Sequence, residues 1–319
     1  MASGTTAFSN NNADVWLRDV MSDCVLCPRT CHVNRLAGQI GYCGQTSELM
    51  AARASLHYWE EPCISGISGS GTVFFSGCNL RCVFCQNHNI ALGKAGRVIT
   101  PKHLVEIFLN LQEQGANNIN LVTPTHFLPQ IAIALEQAKC QGLHLPIVYN
   151  TGSYESMDAL RHLEGLVDIY LPDLKYLSAE LSAAYSHAPD YFEIACAAIE
   201  EMYRQVGDPV IAGDTGLMQR GMIVRHLLLP GRERESMEIL RYLYETYGND
   251  IYISIMNQYT PVPSCHDPAL SRPVSQDAYD RVIAYAVRLG IENAYIQEGG
   301  TVSESFIPAF DGSGVLTGV

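Results

Sequence analysis

From about residue 70 onward, short apolar runs alternate with stretches whose apolar positions recur at helical spacing. The runs are TVFFSG (72–77), NINLVT (118–123), PIVYNT (146–151), VDIYLPD (167–173), MIVRHLLLP (222–230), IYISIM (251–256) and NAYIQ (293–297). Most are continuously apolar, as expected of strands covered on both faces. Between them lie helical patterns such as PKHLVEIFLNLQEQG (101–115), opened by Pro101 and closed at Gly115, and DYFEIACAAIEEMYRQVG (190–207), whose last glycine suits a C-cap. This alternation predicts an α/β fold: a partial (β/α)6-type barrel, with a doubly wound sheet as the alternative. The glycine and serine cluster SGISGSG (65–71) predicts a boundary between an N-terminal region, 1–68, and the barrel, 69–319.

Charge narrows the partners. The chain of 319 residues carries a formal net charge of −13 with its lysines and arginines scattered, so it repels nucleic-acid backbones and anionic membrane surfaces. A protein or a small molecule is the expected partner. The first twenty residues lack a basic segment followed by an apolar one, and no run approaches ~18 apolar residues, so the expectation is a cytoplasmic protein outside the membrane. In that setting eleven cysteines point to metal or redox chemistry, because cytosolic thiols are kept reduced.

Eight of the eleven precede residue 86, seven of them in two groups and Cys63 alone between the groups. The C-x3-C-x2-C spacing of Cys78, Cys82 and Cys85 directly follows the first apolar run, at the end of a barrel strand where chemistry gathers. Three thiolates on a four-iron cubane leave one iron open to a non-protein ligand, whereas zinc wants a fourth protein ligand or water.

With Phe84 before its last cysteine, this spacing resembles the signature of the radical S-adenosylmethionine (radical SAM) superfamily. The longer string GSGTVFFSGCNLRCVFCQN (69–87) is similar to proteins related to pyruvate formate-lyase-activating enzyme. So are NNINLVTPTHF (117–127), IVYNTGSYE (147–155), VDIYLPDLKY (167–176), IVRHLLLPG (223–231) and ISIMNQYTP (253–261). The resemblance implies a radical SAM barrel with a 4Fe-4S cluster on Cys78, Cys82 and Cys85, whose open iron is chelated by SAM. One electron, from a donor such as flavodoxin or ferredoxin, then cleaves SAM to a 5'-deoxyadenosyl radical that abstracts hydrogen from substrate. The substrate it implies is either the glycine of a glycyl-radical enzyme or another peptide or small molecule.

The resemblance also assigns residues. Phe84 and Asn87 match positions beside the adenine, and Asn150 and Thr151 match a strand end that holds SAM or a monovalent cation. Asp173 meets ribose hydroxyls or the cation, Lys175 meets the SAM carboxylate, and Arg225 lies near SAM and substrate. Gln258 stands where activating enzymes carry a SAM-contacting histidine. The Gly-Gly-Glu that contacts the SAM amine in many members is replaced by LVTPTH (121–126), which leaves Thr123, Thr125, His126 or nearby carbonyls for that task. By strand alternation at most one of Arg225 and His226 faces the barrel interior, and Arg225 is the one expected there.

The second group, Cys24, Cys27, Cys31 and Cys43, forms a C-x2-C-x3-C-x11-C array with Gly38, Gly41 and Gly44 available for turns. Four thiolates suit zinc or a second iron–sulfur cluster, with a structural role set against electron relay or partner docking. Cys63, in EEPCISG, reads as a buried structural thiol, and Cys265 as a lesser candidate on the active-site face.

Overall fold

The computed structural model describes residues 10–262, 265, 267–297 and 308–315. Its strands are β1 (Met50–His57), β2 (Ser70–Phe75), β3 (Arg97–Val98), β4 (Ile119–Val122), β5 (Ile147–Thr151), β6 (Ile169–Pro172), β7 (Val210–Ile211), β8 (Met218–Leu227), β9 (Tyr252–Met256) and β10 (Ala294–Ile296). Across the sheet they run β10-β9-β8-β6-β5-β4-β2-β1-β3, with β7 paired to β8 off this path. From β2 to β10 the neighbours on this path are parallel and follow chain order. A doubly wound sheet would reverse direction partway. Single-direction winding is that of a barrel, and β3 and β10 stay unpaired with each other among the described residues, so the barrel is partial.

Every apolar run named from the sequence is a strand, within a few residues. The central ones, such as Ile147–Thr151 and Ile169–Pro172, are buried at every position because helices cover the outside and side chains fill the inside. The helix Pro101–Glu113 starts at a Thr100 cap whose hydroxyl accepts from the His103 amide, and Tyr191–Val206 ends at Gly207. The main core cluster includes Phe75, Phe108, Leu121, Tyr149 and Ile255, with two smaller clusters around Val148 and Ile223 and around Phe74 and Ile90.

The sheet crosses the expected boundary. β1 lies in the N-terminal region but pairs antiparallel with β2 from Ala51–Phe75 to His57–Ser70, so the glycine cluster is the connection inside one sheet. Before β1, the helix Asn10–Ser22 packs on the outer helix Leu128–Cys140, and the cysteine-bearing residues that follow meet the loop after β2.

Candidate active site

The loop after β2 carries Cys78, Cys82 and Cys85. Gly77 makes its start possible: φ is +96°, and a Cβ there would stand 2.6 Å from the Gln45 side chain and 2.7 Å from the Cys43 carbonyl. The three thiols border a single cavity of about 220 Å³. Leu80 donates its amide to Cys78 Sγ (3.4 Å), and Cys82 Sγ lies 2.9 Å from the buried Ser186 hydroxyl. Burial pushes the Cys85 thiol up to about 12 and raises Cys82 as well, so these two bind protons tightly until a metal displaces them.

The same cavity gathers most residues expected there: Phe84, Asn87, Thr123, Asn150, Thr151, Asp173, Lys175, Arg225 and Gln258. Phe84 is held edge-on by Tyr176, Tyr185 and Tyr259 at ring distances of 6.5, 6.2 and 6.1 Å, which fixes one apolar wall. Asp173 and Lys175, two apart just past β6, share a side and form an ion pair. Burial opposes charge on the Asp173 carboxyl, but Lys175 and Arg225 outweigh it and hold the acid below its usual range. Thr123 adopts a left-handed φ of +55° and donates its amide to the Asn150 carbonyl, locking the ends of β4 and β5 together.

Arg225 is the hub. Its guanidinium donates to Glu60 (2.8 Å), Asn150 Oδ1 (3.2 Å) and Asp173 (3.4 Å), with Glu61 at 3.9 Å. His226 points the opposite way, bonded to the Leu174 carbonyl (2.7 Å) and Ser236 (2.8 Å), as alternation requires. Gln258 reaches the cavity, while Tyr259 turns into the core and donates to the Leu270 carbonyl.

His126 departs from expectation. The short 3-10 turn Thr125–Phe127 turns it away from the cavity and buries it, with Nε2 2.6 Å from the Ser76 carbonyl. Burial holds its pKa down to about 3, so it is a neutral packing group. Thr125, in contrast, does line the cavity.

Three acids were not singled out from the sequence. Glu155 lies behind the cavity wall and accepts from Thr125 (2.6 Å) and from Thr151, and burial raises its pKa to about 7. Glu60 and Glu61 follow β1 and enter the barrel opposite β8. They border a second chamber of about 270 Å³, with His57, Ser254 and Tyr295, which shares Asn87, Asn150, Arg225 and Gln258 with the first. Glu61 Oε2 is buried without a hydrogen-bond partner, and burial raises its pKa. Their signal was the acid pair preceding proline in EEPCISG, which reads as a surface turn until β1 is known to deliver it into the barrel.

The four N-terminal cysteines also converge. Cys24, Cys27 and Cys43 are buried, Cys31 is half-buried, and Gly41 lies between the sulfurs of Cys31 and Cys43. Cys63 is buried beside Tyr295, and Cys265 packs partly against the core. Among the described residues, no three His, Cys, Asp or Glu side chains are arranged to hold one metal ion. The ligands of a cubane each bind a different iron, so the triplet's shared cavity and soft donors fit a four-iron cluster with an open position.

A family profile described as Radical SAM superfamily matches residues 72–243. An uncharacterized protein of Methanocaldococcus jannaschii is 25% identical over 289 residues, 87% of this chain and 78% of its own length. Among solved structures, SuiB of Streptococcus suis bound to S-adenosylmethionine superimposes with a TM-score of 0.48 at 15% identity, covering 69% of this chain and 48% of SuiB. This chain thus spans about half the length of SuiB. A domain of pyruvate-formate lyase-activating enzyme from Bacteroides vulgatus gives a TM-score of 0.38 at 14% identity, covering 54% of this chain and 91% of that domain.

Proposed function

The chain belongs to the radical SAM superfamily and is a radical SAM enzyme, and we propose that Cys78, Cys82 and Cys85 hold its 4Fe-4S cluster with SAM in the adjoining cavity and substrate in the chamber beyond Arg225. When bound, cluster and SAM supply a reductive cleavage that yields a 5'-deoxyadenosyl radical able to take hydrogen from carbon. The observation that carries the reading is that three thiols, the Asp173–Lys175 pair and Arg225 border one cavity.

The chain's own residues bind, orient and shield. The Lys175 ammonium keeps protons free beyond its bond to Asp173 and offers them to the SAM carboxylate, a charge-assisted contact that low dielectric strengthens. Thr123, Thr125 and Thr151 offer oxygen acceptors to the amine in place of a Gly-Gly-Glu. Asn87 and Phe84 flank the adenine, and the clamped Phe84 ring keeps water from that side. Lys175 and Arg225 already face Asp173, so the reading needs no separate monovalent cation there.

Arg225, tied to groups on three sides, acts as a fixed partition between cofactor and substrate. Beyond it, the buried Glu61 oxygen, 3.9 Å from Arg225 and without a hydrogen bond, favours a substrate group rich in hydrogen-bond donors. The glycine of a glycyl-radical enzyme is the finer substrate reading, supported by the likeness of residues 69–87 to activating enzymes. We assign Cys24, Cys27, Cys31 and Cys43 to a second metal site, zinc or iron–sulfur, and a flavodoxin- or ferredoxin-type protein as electron donor. Every cysteine is free of disulfides, which suits a reducing compartment such as the cytoplasm.

Equilibrium dialysis of SAM against the reconstituted protein tests the site. The reading expects binding that weakens in Lys175→Met; absence of binding to cluster-loaded protein overturns it. Incubation with candidate glycyl-radical proteins tests the finer role, which a doublet radical signal supports and its absence across the host's set rejects.

A further inference from the structure

Resting on the reading that SAM occupies the cavity beside the triplet, we propose that Glu155 is a positioning residue. From behind the wall it takes the protons of the Thr125 and Thr151 hydroxyls, so that both turn only lone pairs to the cavity and fix the end at which an amine sits, leaving the carboxylate to Lys175.

This wall is built from the end of β5 and the 3-10 turn after β4. Thr125 donates its hydroxyl to Glu155 Oε1 at 2.6 Å and Thr151 donates to the same oxygen, while both threonines line the cavity. The Thr151 hydroxyl also accepts the Ser153 amide at 3.1 Å, where Ser153 has a left-handed φ of +64°. Gly152 keeps the strand end against the cysteine loop, since a Cβ there would stand 2.8 Å from the Leu80 side chain. Glu155, Thr125 and Thr151 are all buried, so neither hydroxyl turns to bulk water.

A hydroxyl has one proton and two lone pairs, and an ionised carboxylate only accepts, so a hydroxyl that faces one must give it the proton. Thr125 keeps two lone pairs for the cavity and Thr151 one, its other being taken by Ser153. The cavity therefore has two ends of opposite polarity, hydroxyl acceptors at β5 and the Lys175 ammonium just past β6. An amino acid group has the matching pair, N–H donors on its amine and acceptors on its carboxylate. Without Glu155 each hydroxyl is free to swing its proton into the cavity and meet either group, and the two seatings come closer in energy.

Glu155 differs in this from the other buried acid of the cavity. Asp173 has Lys175 and Arg225 beside it, whereas Glu155 has hydroxyls as its hydrogen-bond donors, and its Oε2 has no hydrogen-bond partner among the described residues. Burying a carboxyl on such terms is costly, and an apolar side chain would fill the space at less cost. Holding two hydroxyls in one orientation is what the acid does and an apolar residue does not.

Burial raises the Glu155 pKa to about 7 although the hydroxyls pull it down. The ionised form is the one that fixes the hydroxyls, so the preference for an amine strengthens as pH rises through about 7. The neighbouring titratable groups hold their state across that interval. Burial keeps the Tyr149 and Tyr170 phenols and the His126 ring neutral, while Asp173, Lys175 and Arg225 on the cavity side stay ionised together.

The test is equilibrium dialysis of the cluster-loaded protein with SAM and, separately, with SAM lacking its amino group, at about pH 6 and about pH 8, either side of the Glu155 pKa. In Glu155→Met the ratio of the two affinities at the higher pH is expected to fall about three- to tenfold, the worth of a neutral hydrogen bond, with affinity for the analogue kept. Glu155→Gln keeps the shape and loses the charge. It is expected to flatten the change in that ratio between the two pH values, apart from the part centred near ~8 that belongs to the SAM amine itself. If Glu155→Met does not fold, the Gln variant decides by the same comparison. A ratio that keeps its wild-type size and pH dependence overturns the proposal, and so does an equal loss of SAM and analogue, which makes Glu155 a merely structural residue. Wild-type protein that carries the cluster yet binds neither ligand overturns instead the reading of the cavity on which the proposal rests.

Discussion

The two cysteine groups are near mirror images in spacing, C-x3-C-x2-C at residues 78–85 and C-x2-C-x3-C at residues 24–31, yet their surroundings differ in kind. The catalytic triplet opens onto a cavity lined by Asp173, Lys175 and Arg225, while the N-terminal array adds a fourth thiol, Cys43, and three of its four cysteines are buried. Spacing tells only that a loop can present thiols to a metal. Whether that metal meets a second ligand is decided by what the rest of the chain brings to the open side.

The largest expected effect comes from removing a triplet thiol. Cys82→Ala is expected to abolish the SAM-responsive paramagnetic signal, whereas Cys24→Ala keeps it and loses a different one; spectra of both reduced variants make the comparison. If both variants lose the same signal, the two groups share one centre and the distinction fails.

Next is the hub. Arg225→Met leaves Glu60, Glu61 and Asp173 facing one another in a site that is mostly out of water. Stranding buried charge costs about 3–5 kcal/mol, read from denaturant unfolding of the metal-free chain. A cost within error of zero would show these acids to be solvated. Burial opposes the guanidinium charge, but Glu61, Asp173 and Glu60 hold it more firmly protonated than usual, so lowering the pH weakens the hub only by neutralising the acids.

Lys175→Met should weaken SAM binding by about 1.5–3 kcal/mol, the worth of a hydrogen bond to a charged group, as dialysis would measure. His126→Asn should leave that affinity unchanged, because the histidine faces Ser76 and not the cavity. Equal losses in the two variants would return His126 to the site.

The smallest effect lies behind the wall. Glu155 has a folded pKa of about 7 against an ordinary 4.5, so the unfolded chain releases this proton first as pH rises. Its contribution to stability is therefore fully present below about pH 4.5, declines between there and pH 7, and is level above. Glu155→Gln removes that decline, which unfolding free energies measured across the interval would reveal.

Much of this was legible from the sequence. The strands were, because continuously apolar runs such as IVYNT have no other stable place than a covered sheet. Asp173, Lys175 and Arg225 were too, since a spacing of two and strict alternation fix which side each faces. β1 was not: MAARASLH mixes polar and apolar positions, buried at Ala51, Ala52 and Ala54 and half-buried from Ser55 to His57. Missing β1 hid Glu60 and Glu61, whose meeting with Arg225 joins residues far apart in the chain. His126 was placed wrongly because a single 3-10 turn reverses its direction, and local periodicity does not record such a turn. Glu155 shows its role only through the hydroxyls it holds.

The central claim is that the triplet, and not the closed array, is the open end of the chemistry. Its most direct test is 5'-deoxyadenosine formation by anaerobically reconstituted, dithionite-reduced protein, with Cys82→Ala beside it. The account predicts product from the wild type and none from the variant. Product from both would contradict it, because SAM would then be cleaved without the three-thiol site.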